Sequence, residues 1–224
     1  MKTLVAIPCM DTVPVGFMRS VISLKMCGEV QFTFAQGSLI YDARNKLANI
    51  AIDGGFDRML WLDSDMEFGP DTFRYLNEDL DQGLDFVTGL YFTRKVPIKP
   101  VAYSAVYADS NGVPHADEIR EWPNDRLFEI KACGFGMVLC TVDLMKRIRD
   151  KYHLPFSPAY GFGEDLSFCL RANQLGAKMY CDPRMPIGHI GQYTYSFNDY
   201  DMEALDGGRG DHAGHAENGP GAHD

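Results

Sequence analysis

Short apolar runs alternate along the chain with stretches whose apolar positions recur every three or four residues. Leu4-Val5-Ala6-Ile7 is a continuous apolar run ended by Pro8, the pattern of a strand buried on both faces of a parallel sheet. Phe17 to Met26 reads as a helix closed by Gly28, and Val30, Phe32 and Phe34 alternate as a second strand. Ile40, Ala43, Leu47, Ile50 and Ala51 have helical spacing, stopped by Gly54-Gly55. A third apolar run, Arg58 to Leu62, breaks off at Asp63-Ser64-Asp65. Pro70 then opens a helix at its first position, and a strand follows around Phe86 to Leu90. Strands and helices alternating at this length predict an α/β fold around a mixed, mainly parallel, doubly wound sheet.

Beyond Pro97 the pattern changes. Val101 to Tyr107, the Asp109-Ser110-Asn111-Gly112 turn and Leu127 to Ile130 predict a small antiparallel extension. Met137 to Thr141 reads as a strand and Asp143 caps a helix through Arg149. A loop rich in Pro, Gly and aromatic residues spans Tyr152 to Gly163, and Glu164 to Leu175 is a helix ended by Gly176. From Asp206 to Asp224 there is no Val, Ile, Leu, Met or aromatic residue, only polar filler with six glycines and three histidines. Such a segment has too little apolar surface to offset the entropy of ordering. The expected organisation is one domain over residues 1–205 and a flexible, dispensable tail over 206–224.

Composition narrows the class. Across 224 residues, 46% are hydrophobic and 23% charged, ordinary for a globular protein and unlike a disordered or collagen-like chain. Acidic residues outnumber basic ones 31 to 21, so 21 − 31 = −10. No basic patch is evident, so the clustered cations that grip duplex nucleic acid are missing. Net charge says nothing of a local basic groove, and a nucleic-acid acceptor stays open. No apolar run approaches the roughly 20 residues of a membrane helix. The six cysteines contain no C-x-x-C and sit mostly in apolar runs, which predicts buried reduced thiols and a cytoplasmic protein.

Candidate chemistry gathers in three segments. Trp61-Leu62-Asp63-Ser64-Asp65 ends an apolar strand in two carboxylates one residue apart. On an extended backbone these face one side, at the strand end where open α/β sheets bind ligands. They either cap a turn or share a hard divalent cation. Gly161-Phe162-Gly163-Glu164-Asp165 sets two acids at a helix start after a glycine-rich loop. They either cap the helix or supply a general base, which the terminal N–H groups are expected to hold ionised. Gly188-His189-Ile190-Gly191 carries a histidine between glycines, either structural or a ligand. The aromatics Tyr152, Phe156, Tyr160 and Phe162 suit sugar stacking or loop core equally. A phosphate loop G-x-x-x-x-G-K-[ST] is missing, as are G-x-S-x-G and H-E-x-x-H, and Gly161-Phe162-Gly163 leads into acids where a dinucleotide fingerprint needs none.

In this order the segments resemble the GT-A (Rossmann-like) glycosyltransferases, most closely the family 2-like group. Val5-Ala6-Ile7-Pro8-Cys9-Met10 is similar to the first strand and base-holding loop, Ala43-Arg44-Asn45 to a helix start beside the nucleotide, and Asp63-Ser64-Asp65 to the D-x-D motif. Cys133-Gly134-Phe135-Gly136-Met137-Val138-Leu139 resembles the loop and strand under the donor sugar, Glu164-Asp165 the E-D helix, and His189 the late metal-binding histidine. The resemblance implies a nucleoside-diphosphate sugar donor, an acceptor hydroxyl and a divalent ion, Mn2+ or Mg2+. Asp65 and His189, with Asp63, would bind the metal, and the imidazole favours manganese. Pro8, Met10, Asp11, Arg44, Asn45, Asp63, Gly134 and Gly136 would hold the donor. Asp165 would be the base of an inverting transfer, with Glu164 orienting hydroxyls. The rivals are a metal-dependent nucleotidyltransferase, disfavoured because Pro8-Cys9-Met10-Asp11-Thr12 has no cation for a triphosphate, and an inactive nucleotide-sugar-binding module.

Overall fold

The computed structural model describes residues 1–37, 39–191 and 194–195. The expected tail, 206–224, and the boundary at 205 lie outside the described residues. The elements run β1 (Lys2–Cys9), α1 (Val15–Ser23), β2 (Glu29–Gln36), α2 (Ile40–Asp53), β3 (Arg58–Leu62), β4 (Met66–Phe68), α3 (Thr72–Leu80) and β5 (Phe86–Gly89). They continue with β6 (Ala102–Ala108), β7 (Pro114–Glu118), β8 (Phe128–Glu129), β9 (Ala132–Cys133), β10 (Met137–Thr141), α4 (Val142–Tyr152), α5 (Glu164–Gln174), β11 (Met179–Asp182), β12 (Ile187–Ile190) and β13 (Thr194–Tyr195).

Seven strands form the central sheet in the order β2-β1-β3-β10-β5-β11-β8. β1 is parallel to β2 and β3, β5 is parallel to β11, and β10 runs antiparallel between β3 and β5. The sheet is therefore mixed, with β10 and β8 against the direction of the other five. Alternation along each strand divides the core. Val5, Ile7, Leu60, Leu62, Val87 and Leu139 pack with Phe17 of α1 and Phe73 and Leu76 of α3. Leu4, Ala6, Met59, Trp61, Phe86 and Val138 point the other way, onto Leu47 of α2, Leu144 and Ile148 of α4, and Phe168 of α5.

Several boundaries differ from the pattern-based expectation. β1 runs through Pro8 to Cys9 because its pairing with β3 has already ended at Ala6, so proline interrupts no ladder on that side. α1 stops at Ser23, three residues early, where Leu24 turns extended and buries its side chain while Lys25 N–H donates to the Pro70 carbonyl at 2.8 Å. Pro70 lies two residues ahead of α3 rather than at its first position. Leu127 to Ile130 contributes β8, which pairs with β11 at the edge of the main sheet instead of joining the extension. That extension is β7-β6-β9, and a second small sheet, β13-β12-β4, had no counterpart in the hydrophobic pattern. Among the described residues no helix is long and apolar enough to cross a membrane. Four cysteines, Cys133, Cys140, Cys169 and Cys181, are buried and free, whereas Cys27 is exposed.

Candidate functional site

The carboxyl ends of β1 and β3 open on a cleft of about 260 Å³ lined by Pro8, Cys9, Met10, Gly37, Ile40, Asp63, Ser64 and Asp65. Its walls are mostly apolar, its floor is acidic, and it sits where open α/β sheets take ligands. Of the expected donor residues, Pro8, Met10 and Asp63 line it directly. Asp11 is not among the lining residues, and its carboxylate accepts from the Gln36 amide.

The two acids after β3 have different neighbours. Asp63 accepts from Nη2 of Arg44 through both oxygens, at 2.8 and 3.0 Å. Arg44, 2% exposed, also donates through Nε to Glu164 at 3.3 Å. It thus clamps α2 to the strand end and to the start of α5, behind the cleft. Desolvation pushes the Asp63 carboxyl up to about 6, against the pull of Arg44, and Asp65 and Glu164 add repulsion. Asn45 is likewise buried, and its side-chain oxygen accepts from Phe156 N–H at 3.0 Å, fixing the Tyr152–Gly163 loop.

Asp65 instead faces a histidine. β12 pairs antiparallel with β4 so that His189 lies opposite Met66, and Ile190 N–H donates to the Asp65 carbonyl at 2.7 Å. This brings His189 Nε2 to 3.5 Å from Asp65 Oδ2. The other ring nitrogen, Nδ1, lies 2.9 Å from the Phe92 carbonyl. A carbonyl only accepts, so Nδ1 carries a proton and the ring is oriented with Nε2 toward the Asp65 carboxylate. That is how a ligating histidine is oriented, its second nitrogen anchored to a backbone oxygen. Arg94 closes the cluster, with Nη1 2.8 Å from Asp65 Oδ2 and 3.0 Å from the Ile190 carbonyl. Burial raises the Asp65 carboxyl, yet His189 and Arg94 outweigh it and hold the group below the ordinary range.

A carboxylate oxygen and an imidazole nitrogen 3.5 Å apart are donor types that a divalent cation such as Mn2+ takes. Among the described residues no group of three or more His, Cys, Asp or Glu side chains is assembled for a metal.

The E-D pair sits at the start of α5 as expected, but its electrostatics do not follow the helix-terminus argument. Asp165 Oδ1 accepts from Leu166 N–H at 2.7 Å. Even so, desolvation and the adjacent Glu164 charge raise the Asp165 carboxyl above its usual value, so the helix terminus does not lower it as expected. Glu164 is tied to Arg44. Gly134 and Gly136 are buried under Tyr91, whose hydroxyl accepts from Gly136 N–H at 3.1 Å, and the Gly136 carbonyl accepts from Asp63 N–H at 2.9 Å. A side chain at Gly136 would meet Tyr91 Cζ at 2.8 Å and Met66 Sδ at 2.9 Å, so close packing explains these glycines. Phe156 and Phe162 are buried, which makes them loop core, and of the loop's four aromatic residues only Tyr160 is exposed.

Sequence reasoning missed Tyr91, the Phe92 carbonyl and Arg94. Tyr91 packs edge-on against His189 with ring centroids 5.6 Å apart. The one signal was the basic pair Arg94-Lys95 interrupting an apolar stretch, and it named no partner.

No family profile matches the sequence, and no curated protein matches it. Solved structures do. A197 from STIV superposes with a TM-score of 0.59 at 18% identity, over 85% of this chain and 86% of that one. GalNAc-T7, crystallised with UDP, GalNAc and Mn2+, gives a TM-score of 0.56 at 14% identity, over 85% of this chain and 43% of that one. At these identities the likeness establishes the architecture: a GT-A-like α/β fold with a seven-stranded mixed sheet and small antiparallel sheets.

Proposed function

We propose that the chain is a metal-dependent glycosyltransferase that moves a sugar from a nucleoside-diphosphate donor to an acceptor hydroxyl with inversion. The observation that carries the reading is the Asp65–His189 pair, its imidazole anchored through Nδ1, with Asp65 lining the cleft beside Pro8, Met10 and Asp63. The GT-A-like fold is shared with GalNAc-T7, which was crystallised with UDP, GalNAc and Mn2+.

Asp65 and His189 would hold the divalent ion, with Asp63 beside it. When bound, such an ion supplies Lewis-acid neutralisation of the charge that develops on the departing diphosphate. The Cys9–Met10 wall takes the nucleoside, and Arg44 keeps Asp63 and Glu164 in register. Asp165 accepts the acceptor proton as the hydroxyl oxygen bonds to the anomeric carbon and the bond to the diphosphate oxygen breaks. Desolvation and the neighbouring Glu164 raise its pKa, which makes it a stronger base than an ordinary aspartate.

Calorimetric titration with UDP, GDP, CDP, ADP and dTDP, each with Mn2+ and with chelator, tests the reading. At least one diphosphate is expected to bind, more weakly after chelation and at least tenfold more weakly in Asp65→Ala. Affinity that is the same with and without divalent ions would remove the metal assignment.

A further inference from the structure

The guanidinium of Arg94 sits on the carboxylate oxygen that faces His189 Nε2, where a cation bound by those two groups would have to touch Asp65. Three backbone segments hold it there. Phe92, two residues before Arg94, supplies the carbonyl that anchors His189, and Arg94 itself donates to the carbonyl of Ile190, whose N–H returns to Asp65. The loop carrying Arg94 is closed at its base by Thr93 N–H to Lys99 O at 2.8 Å and Lys99 N–H to Thr93 Oγ1 at 3.1 Å. Its tip is free in solvent, with Val96 87% exposed, and the Arg94 side chain itself is 44% exposed. Arg94 is therefore tethered to the site yet able to move its head group.

Charge decides what such a residue does. With Asp63 and Glu164 already paired to Arg44, Asp65 is the carboxylate of the D-x-D pair that Arg94 neutralises, on the oxygen that also faces His189. A divalent ion on Asp65 and His189 makes that guanidinium redundant and repels it. A diphosphate that arrives with the ion brings negative charge in excess of the ion's, directly beside the displaced head group. Arginine's planar fork suits phosphate oxygens.

We infer that Arg94 is a placeholder cation: it neutralises Asp65 in the ion-free protein, competes with the divalent ion for that carboxylate, and transfers to the donor's diphosphate once the ion is bound. The inference rests on the reading of Asp65 and His189 as the ion's ligands. It assigns Arg94 a binding role in a loop that the D-x-D, E-D and histidine segments do not include.

The test uses two titrations on wild type, Arg94→Ala and Arg94→Lys. Mn2+ alone is followed through the loss of its free-ion paramagnetic signal. The tightest diphosphate of the five above is then titrated calorimetrically at saturating Mn2+. Arg94→Ala is expected to bind Mn2+ roughly 2–5-fold more tightly, the size of a partly exposed ion pair lost by the competitor. The same variant is expected to bind the diphosphate roughly tenfold more weakly, one charge-assisted contact. Arg94→Lys, which keeps the charge, should retain most of the diphosphate affinity. If either Arg94→Ala titration matches wild type while wild type still binds Mn2+ in an Asp65-dependent way, the Arg94 role is overturned and the site reading stands. Wild type that binds no Mn2+ at all overturns both.

Discussion

A methyl group at Gly134 has no room, because it would overlap the hydroxyl of Tyr91 and press on Val101. Gly134→Ala is expected to cost about 1–3 kcal/mol, the usual penalty for overpacking a core. Tyr91→Phe removes the obstructing oxygen but leaves Gly136 N–H without its acceptor, so alone it also destabilises. Combined, the two changes should cost less than their sum, and urea melts of the four proteins measure that coupling. Additive losses would mean the backbone shifts instead. Asp165 belongs to the same scale. Asp165→Asn keeps the size and removes the proton acceptor, so transfer should fall roughly 10²–10⁴-fold. Diphosphate and Mn2+ affinity should hardly change, since the loss belongs to the transition state. A variant that transfers sugar at the wild-type rate would take Asp165 out of the mechanism.

Between elements, the decisive contact is Arg44, which joins α2, the end of β3 and the first turn of α5 through one guanidinium. Removing it strands two carboxylates against each other. Because Asp63 and Glu164 keep 27% and 16% of their side-chain surface exposed, Arg44→Ala should cost about 3 kcal/mol, the low end for a broken buried pair. A denaturation midpoint within error of wild type would show that water replaces the clamp. The β4–β12 pairing is the second such contact. β4 is only three residues long, yet its register with Ile187–Ile190 sets His189 beside Asp65.

For the whole molecule, the sum of perturbed carboxylates sets an unusual pH dependence. Asp63 and Asp79 are both pushed up to about 6 by desolvation, Asp79 also by neighbouring Asp182, and Asp165 is raised as well. Each binds its proton more tightly folded than unfolded, where aspartate titrates near about 3.9. Acidification from about pH 6 toward pH 4 therefore favours the folded state. Relief of the −10 net charge acts in the same direction. Asp65 and Asp182 oppose this at lower pH: burial pushes both up, but His189 and Arg94 pull Asp65, and Arg184 pulls Asp182, below the ordinary range, and their contributions are lost as they protonate. In chelator, the melting temperature should rise from pH 7 to pH 5. Asp79→Asn should flatten part of that rise and separate it from the net-charge effect. A wild-type protein that melts lower at pH 5 than at pH 7 would contradict the assignment.

The five helices, the strands β1, β2, β3, β5, β6, β8 and β10, the burial of Leu4–Ile7 and Arg58–Leu62, and the acids at the end of β3 and start of α5 were legible in the sequence, whereas β4, β7, β9, β11, β12 and β13 were not. Each follows from local periodicity or from residues adjacent in the chain, and local rules suffice there. The sense of β10 was not, because an apolar run such as Met137–Thr141 has the same pattern parallel or antiparallel. Nor was the division of labour between acids: Arg44, Asp63 and Glu164 share a clamp only because α2, β3 and α5 meet there, and that meeting desolvates the carboxyls enough to raise Asp63 and Asp165. The sequence by itself determined which chemical groups this protein holds and at which end of the sheet they stand. Only tertiary structure decided which of them face one another, because the distances from Asp65 to His189 and Arg94 depend on pairings between residues far apart in the chain.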